Sequence, residues 1–318
     1  MKKLILLCIL IFAVTGCIPA LSGEKEKTVL YEVTDSTGTK ITFYKKPERI
    51  ISLSVSTDEI LSDMVSHDRI VAITRLTDDP GVSNTCSRNK DIPGRILTKS
   101  AEEIISFRPD LVICPDFVEA EIYEQLRLIG IPVYVYPTQR NLQDIKDSIY
   151  HIGEITGEKE RAAVIVSDME EKLNAVRKIT EKIPPSQRKR VAYFQTNGVY
   201  AGRERCFDDL CRAAGLTSVT TELPYDGLVQ VPQEQIMQLN PDAFVFINWN
   251  HDGKHDPKNY IEEVFSNPAY KTTNAGKNHE YYLIDGAHIQ ALSHYAALGV
   301  EDLAKAAYPD LFKKIRLF

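Results

Sequence analysis

At 318 residues the chain is long enough for about two domains, each with its own core. Its 44 acidic residues outnumber 38 basic ones, a formal charge of −6, which argues against a nucleic-acid backbone as partner. No run of about twenty apolar residues occurs, so no segment is built to span a bilayer as a helix.

The N-terminus carries Lys2 and Lys3, then eleven apolar residues over 4–14, then Gly16 and Cys17. That length is too short to cross a membrane and fits a secretory signal over 1–16. A cysteine directly after the small residue resembles a bacterial lipoprotein signal. The resemblance implies that Cys17 is lipidated, that 17–27 is a polar tether, and that the body works outside the cytoplasm. Without residues 1–16 the balance is 36 basic against 44 acidic residues, or −8. Cys86, Cys114, Cys206 and Cys211 remain in the body, and their spacing dictates no disulfide pairing.

Residues 29–44 alternate around Asp35-Ser-Thr-Gly38 and read as a β-hairpin. A short apolar strand over 50–53 follows. Ser54, Ser56 and Thr57 then stand at a strand-to-helix junction, where hydroxyls cap free N–H groups. A strand over 70–73 leads into a long polar loop, 75–96. Ser100 and Glu103 have capping-box spacing before the next helix. Strands over 111–114 and 133–135 enclose a helix over 122–128. Strands alternating with helices predict a parallel sheet covered on both faces.

Residues 158–183 contain no glycine or proline, and their apolar positions recur at the period of one helix face. A helix of that length would reach about 39 Å, the width of a domain. Beyond it the βα rhythm restarts, with strands over 190–194, 243–247 and 280–284. Helices are expected over 207–214, 233–239, 261–265 and 292–307. Glu102, Ile104, Pro109 and Asp110 recur as Glu234, Ile236, Pro241 and Asp242, each 132 positions on. The reading is α/β: two Rossmann-like lobes with mostly parallel sheets joined by one long helix. The divisions are a lobe over 28–140, a helical linker over 141–185 and a second lobe over 186–318.

Here the motifs point to a family. Pro47-x-Arg-Ile-Ile-Ser-Leu-Ser54-x-Ser56-x-x-Glu59 and Ser-x-Glu102-x-Ile-x-x-x-x-Pro109-Asp110 resemble ABC-importer substrate-binding proteins for ferric siderophores, haem and vitamin B12. Val-Pro-Gln-Glu234-Gln-Ile-x-x-Leu-Asn-Pro-Asp242 and the ending Ala-Leu-Gly-Val-Glu-Asp-Leu-Ala304-x-x-x-Tyr-Pro309 extend the likeness over nearly all the mature chain. It implies a two-lobed monomer with limited hinge motion. Such a protein delivers a metal chelate to a membrane permease driven by a cytoplasmic ATPase, and has no cofactor or catalysis of its own. It also implies that Glu102 and Glu234 meet arginines of the permease, one on each lobe. Glu103 is a near competitor, and an acid in a helix's first turn is favoured by the dipole alone.

In such lobes ligands sit beyond the strand C-terminal ends. The candidates there are Ser54, Ser56, Thr57, Arg75, Asp116, Phe117, Tyr200, Arg203, Asn248, Trp249 and His251. Trp249, the chain's single tryptophan, is placed to cover a flat ligand. Arg75 and Arg203 suit carboxylates or phenolates. The cluster His251 to His255 reads first as a polar loop, second as an axial haem ligand, third as a bare-metal site. The expected cargo is an iron chelate or a corrinoid. The rivals are haem, held by His251, His255 or Tyr200, and a surface lipoprotein working without a permease.

Overall fold

The computed structural model describes residues 28–195, 198–201, 206–225, 228–249 and 256–313. Strands β1 (Tyr31–Thr34) and β2 (Lys40–Phe43) form the antiparallel hairpin. Its turn is held by Asp35, whose carboxylate accepts the N–H groups of Thr37 and Thr39.

Five strands make the first sheet: β3 (Ile50–Ser52), β4 (Ile70–Thr74), β5 (Gly94–Ile96), β6 (Leu111–Pro115) and β7 (Val133–Tyr136). Their spatial order is β5-β4-β3-β6-β7, all parallel. β5 lies inside what the sequence suggests is loop; three residues carry too little periodicity to betray an edge strand. The second sheet holds β8 (Arg190–Gln195), β9 (Gly198–Ala201), β10 (Thr217–Ser218), β11 (Val229–Gln230), β12 (Ala243–Ile247) and β13 (Tyr281–Ile284). β10, β8, β12 and β13 run parallel, while β9 turns back antiparallel to β8 and pairs with β11.

Alternation along the strands sorts side chains into separate cores. Ile51, Val112 and Cys114 pack on the outer face of the first sheet, and Ala192, Phe194, Phe244 and Phe246 on that of the second. Their neighbours Ile50, Leu111, Ile113, Val191, Val245 and Ile284 share one core that runs through both lobes. The helices between the sheets close it. Residues 141–185 contain helix Leu142–Thr156, capped by Asn141, and the long helix Lys159–Thr180, whose 22 residues reach about 33 Å. Gly157, at φ +74°, makes the left-handed turn between them. Ile145, Ile149 and Ile152 of the first helix join Ile165, Met169, Leu173 and Val176 of the second in the shared core.

The 132-residue repeat has a structural reason. Arg49 donates to the carbonyls of Phe107 and Arg108, while Asp110 accepts the Arg49 N–H at 2.7 Å. In the second lobe Arg190 donates to the Leu239 carbonyl and Asp242 accepts the Arg190 N–H at 3.0 Å. Arg108 and Asn240, both left-handed, precede the two prolines. Each half thus seals a helix end onto the start of its first strand. Cys86, Cys114, Cys206 and Cys211 are free thiols, and burial pushes those of Cys114 and Cys206 up to about 12. Among the described residues, no helix is long and apolar enough to cross a membrane.

Candidate functional site

A cavity of about 960 Å³ opens where all five strands of the first sheet end. Each strand hands it the residues that follow. β3 supplies Ser54 and Ser56; β4 supplies Arg75, Leu76, Asp78 and Asp79; β5 supplies Leu97 and Lys99; β6 supplies Phe117; β7 supplies Tyr136 and Gln139. The second lobe closes the far wall with Gln290, Ala291 and Leu292.

The floor is polar and rigid. Ser54 caps helix Val55–Met64 by accepting the Thr57 N–H at 3.2 Å. The Tyr136 hydroxyl, at the end of β7, lies 2.6 Å from Ser54 Oγ and accepts from Thr57 Oγ1 at 2.8 Å. Ser54 in turn donates to Thr57 at 3.1 Å, so three hydroxyls close a ring. Ser56 stands beside it, 3.0 Å from Ser54 Oγ and 3.4 Å from Tyr136. Burial raises the Tyr136 pKa, so the phenol keeps its proton. The rim is apolar and open: Leu76, Leu97 and Phe117 are 57%, 62% and 62% exposed. Large aliphatic and aromatic side chains left that bare around a concavity mark a surface meant to be covered.

The cavity's carboxylates are committed to protein donors. Asp78 pairs with Arg95, and Asp79 accepts from the Gly81 N–H and the Trp249 indole. Glu59 is buried and accepts from Asn84 at 2.7 and 2.9 Å and from Ser293 Oγ at 2.5 Å. Burial raises its pKa despite those donors. The cations are freer. Arg75 is exposed, and Lys99 rests 5.5 Å from the centre of the Phe117 ring. Neither is ion-paired among the described residues.

The structure therefore gathers Ser54, Ser56, Arg75 and Phe117 in one cavity. Asp116 lies outside its lining and accepts from Thr138. Tyr200 lies in β9 opposite Gln230, and Trp249 spans the seam between lobes; neither lines the cavity. Arg203, His251, His255 and Cys17 fall outside the described residues. Sequence reasoning missed Leu76, Leu97, Lys99, Tyr136 and Gln139. The available signal was a leucine within two residues of a strand end inside an otherwise polar stretch.

Glu102 and Glu234 each take the second position of their helices, Ala101–Ser106 and Gln233–Leu239, and both are exposed. Glu103 is otherwise engaged: its carboxylate accepts the N–H groups of Leu97, Thr98 and Lys99. This leaves Glu102 as the acid facing solvent.

Residues 50–287 match the family model described as periplasmic binding protein. An uncharacterised ABC transporter substrate-binding lipoprotein of Bacillus subtilis, YvrC, is 26% identical over 302 residues, 92% of this chain and 91% of that protein. A cobalamin-binding protein of Halobacterium salinarum is 25% identical over 71% of this chain and 62% of its own length. The apo structure of the periplasmic heme-binding protein RhuT from Roseiflexus superposes with a TM-score of 0.70 at 20% identity, covering 83% of this chain and 99% of that one.

Proposed function

This chain belongs to the periplasmic binding protein family, and from that premise we propose that it is the substrate-binding lipoprotein of an ABC importer. Its cargo is a large metal chelate, a ferric siderophore or a corrinoid, carried to a permease and its ATPase. It binds and releases without chemistry of its own. The reading rests on one observation, the composition of the cavity: an exposed apolar rim, two unpaired cations, and no histidine, methionine or cysteine among the described lining residues. Its carboxylates, Glu59, Asp78 and Asp79, already have protein donors. Such a wall suits a cargo whose metal already has a full coordination shell and whose periphery is part apolar, part anionic. Among the lining residues the Tyr136 phenol is the one oxygen donor familiar from haem sites, and it is engaged with Ser54 and Thr57. The names of the B. subtilis and H. salinarum relatives agree with an importer lipoprotein and with cobalamin as one cargo of the family.

The anchor at Cys17, export, the monomeric state and docking through Glu102 and Glu234 belong to the same proposal. The test is a thermal-shift screen with cyanocobalamin, haem and ferric siderophores, followed by titration calorimetry, because a ligand that binds only the folded state raises its stability. A shift with cyanocobalamin or a siderophore supports the reading. A shift with haem alone, with a new visible absorption band, replaces the cargo with haem. No shift with any of them removes chelate capture.

A further inference from the structure

We infer that Trp249 is a positioning residue: its indole is a wedge that fixes the second lobe against the loop after β4 and so shapes the cavity wall. The observations come from three chain segments. The Trp249 Nε1–H donates to Asp79 Oδ2 at 3.0 Å, and Asp79 Oδ1 accepts the Gly81 N–H at 2.8 Å. One carboxylate thus holds both the indole and its own loop. A Cβ on Gly81 would lie 2.1 Å from Trp249 Cδ1, and one on Gly286 would lie 2.7 Å from the Gly81 carbonyl and 3.1 Å from Trp249 Cβ. Neither glycine leaves room for a methyl group, so the indole seats in a slot made by two bare backbones.

The slot belongs to a wider seam. Asn84 donates to the Ala287 carbonyl at 2.8 Å, and Ser293 to Glu59 at 2.5 Å. His294 and Tyr295 both reach Asp63 at 2.8 Å. Every N-terminal partner lies on helix Val55–Met64 or the loop after β4. The loop is itself stiff, since Thr77, Ser83, Thr85 and Asn89 are buried and hydrogen-bonded to one another. Asp79, Pro80 and Val82 line the cavity on one side of this loop, while the indole meets Asp79 and Gly81. A ligand pressing on that wall acts on the indole through Asp79. For its consequence this inference rests on the reading of the cavity as the ligand site; the wedge itself does not.

The experiment separates the two. Amide hydrogen exchange is measured on the full-length protein, wild type, Gly81→Ala and Trp249→Phe, without ligand. A wedge makes each substitution felt across the seam. Gly81→Ala speeds exchange at 285–291, and Trp249→Phe speeds it at 79–85, by at least about tenfold, while the β-strands of both sheets stay as protected as before. Exchange that changes only on the substituted side overturns the wedge. If Gly81→Ala does not fold, Trp249→Phe, which keeps an aromatic ring but loses the N–H, carries the same comparison. Tryptophan emission is then followed on adding cyanocobalamin or a ferric catecholate. A probe that binds shifts the emission of wild type, and Gly81→Ala, at a residue outside the cavity lining that packs on the indole, loses the shift while still binding. An unshifted emission on proven binding overturns the coupling. Failure of every probe to bind wild type counts against the cargo reading alone, because the exchange result stands without ligand.

Discussion

At the residue scale, the cavity's chemistry turns on which charges are already used. Asp78, Asp79 and Glu59 have protein partners; among the described residues Arg75 and Lys99 have no ion pair, Arg75 being exposed and Lys99 resting on the Phe117 ring. We therefore expect Arg75→Gln and Lys99→Gln each to weaken an anionic siderophore by about 1.5–3 kcal/mol, the range for hydrogen bonds to charged groups. Calorimetry checks this, and equal affinity in the double variant would remove the anionic cargo. A second expectation concerns Asp58, buried on helix Val55–Met64, where it accepts from Thr74. Burial pushes its pKa up to about 8 from the usual 3.8. The folded chain then holds a proton that the unfolded chain has released between those values, so stability falls as pH rises through that window. Glu59, also raised, adds in the same sense. Asp63 acts oppositely: burial raises its pKa, yet hydrogen bonds from His294 and Arg88 hold it below the ordinary carboxylate range. The stability it adds is lost only as pH falls below about 4. Melting temperatures should therefore drop from about pH 5 to about pH 8 in wild type, and less steeply in Asp58→Asn. Parallel slopes would show that Asp58 is charged in the folded chain.

At the element scale, the two helices joined at Gly157 form the spine. They approach so closely at Gly153 that a Cβ there would lie 2.4 Å from that of Ala162. Gly153→Ala should therefore cost about 1–3 kcal/mol, as overpacking does, read as a lower urea midpoint. Ala162→Gly in the same chain should recover part of the loss; an unchanged midpoint in the single variant would mean that the helices shift apart freely. The spine was half legible. Residues 158–183 show a clean helical period, and the helix occupies Lys159–Thr180, shorter at both ends. Its partner Leu142–Thr156 lies inside the 141–185 stretch that reads as one helical linker, and the structure divides that stretch into two helices at Gly157. β9, β10 and β11 escaped notice because runs of two to four residues carry almost no periodic signal.

At the scale of the whole molecule, one core passes through both lobes, and the seam around Glu59, Asp63 and Trp249 adds polar contacts. A joint built this way resists wide closure, so under the proposed importer role a permease would read lobe surfaces more than a large change of shape. Glu102 and Glu234 are equivalent exposed acids, one per lobe. Glu102→Arg and Glu234→Arg should each leave cargo affinity unchanged and lower uptake, the double variant most, since charge complementarity chiefly governs encounter and orientation. Normal uptake by a folded double variant would leave these acids with the helix dipole as their whole explanation.

The sequence by itself determined the α/β class, the two-lobed plan, the caps at Ser54 and Ser100 and the repeated Pro-Asp motif. Each depends on near neighbours or on a period within one element, and such information is local. Only the tertiary structure decided which strand-end residues share a cavity. Leu76, Leu97, Lys99 and Tyr136 come from three strands that are distant in sequence and meet through sheet order. It also decided the place of Trp249. The indole's site depends on two glycines, Gly81 and Gly286, that lie 205 positions apart in the chain. Their closeness is a property of how the lobes pack, which no local pattern encodes.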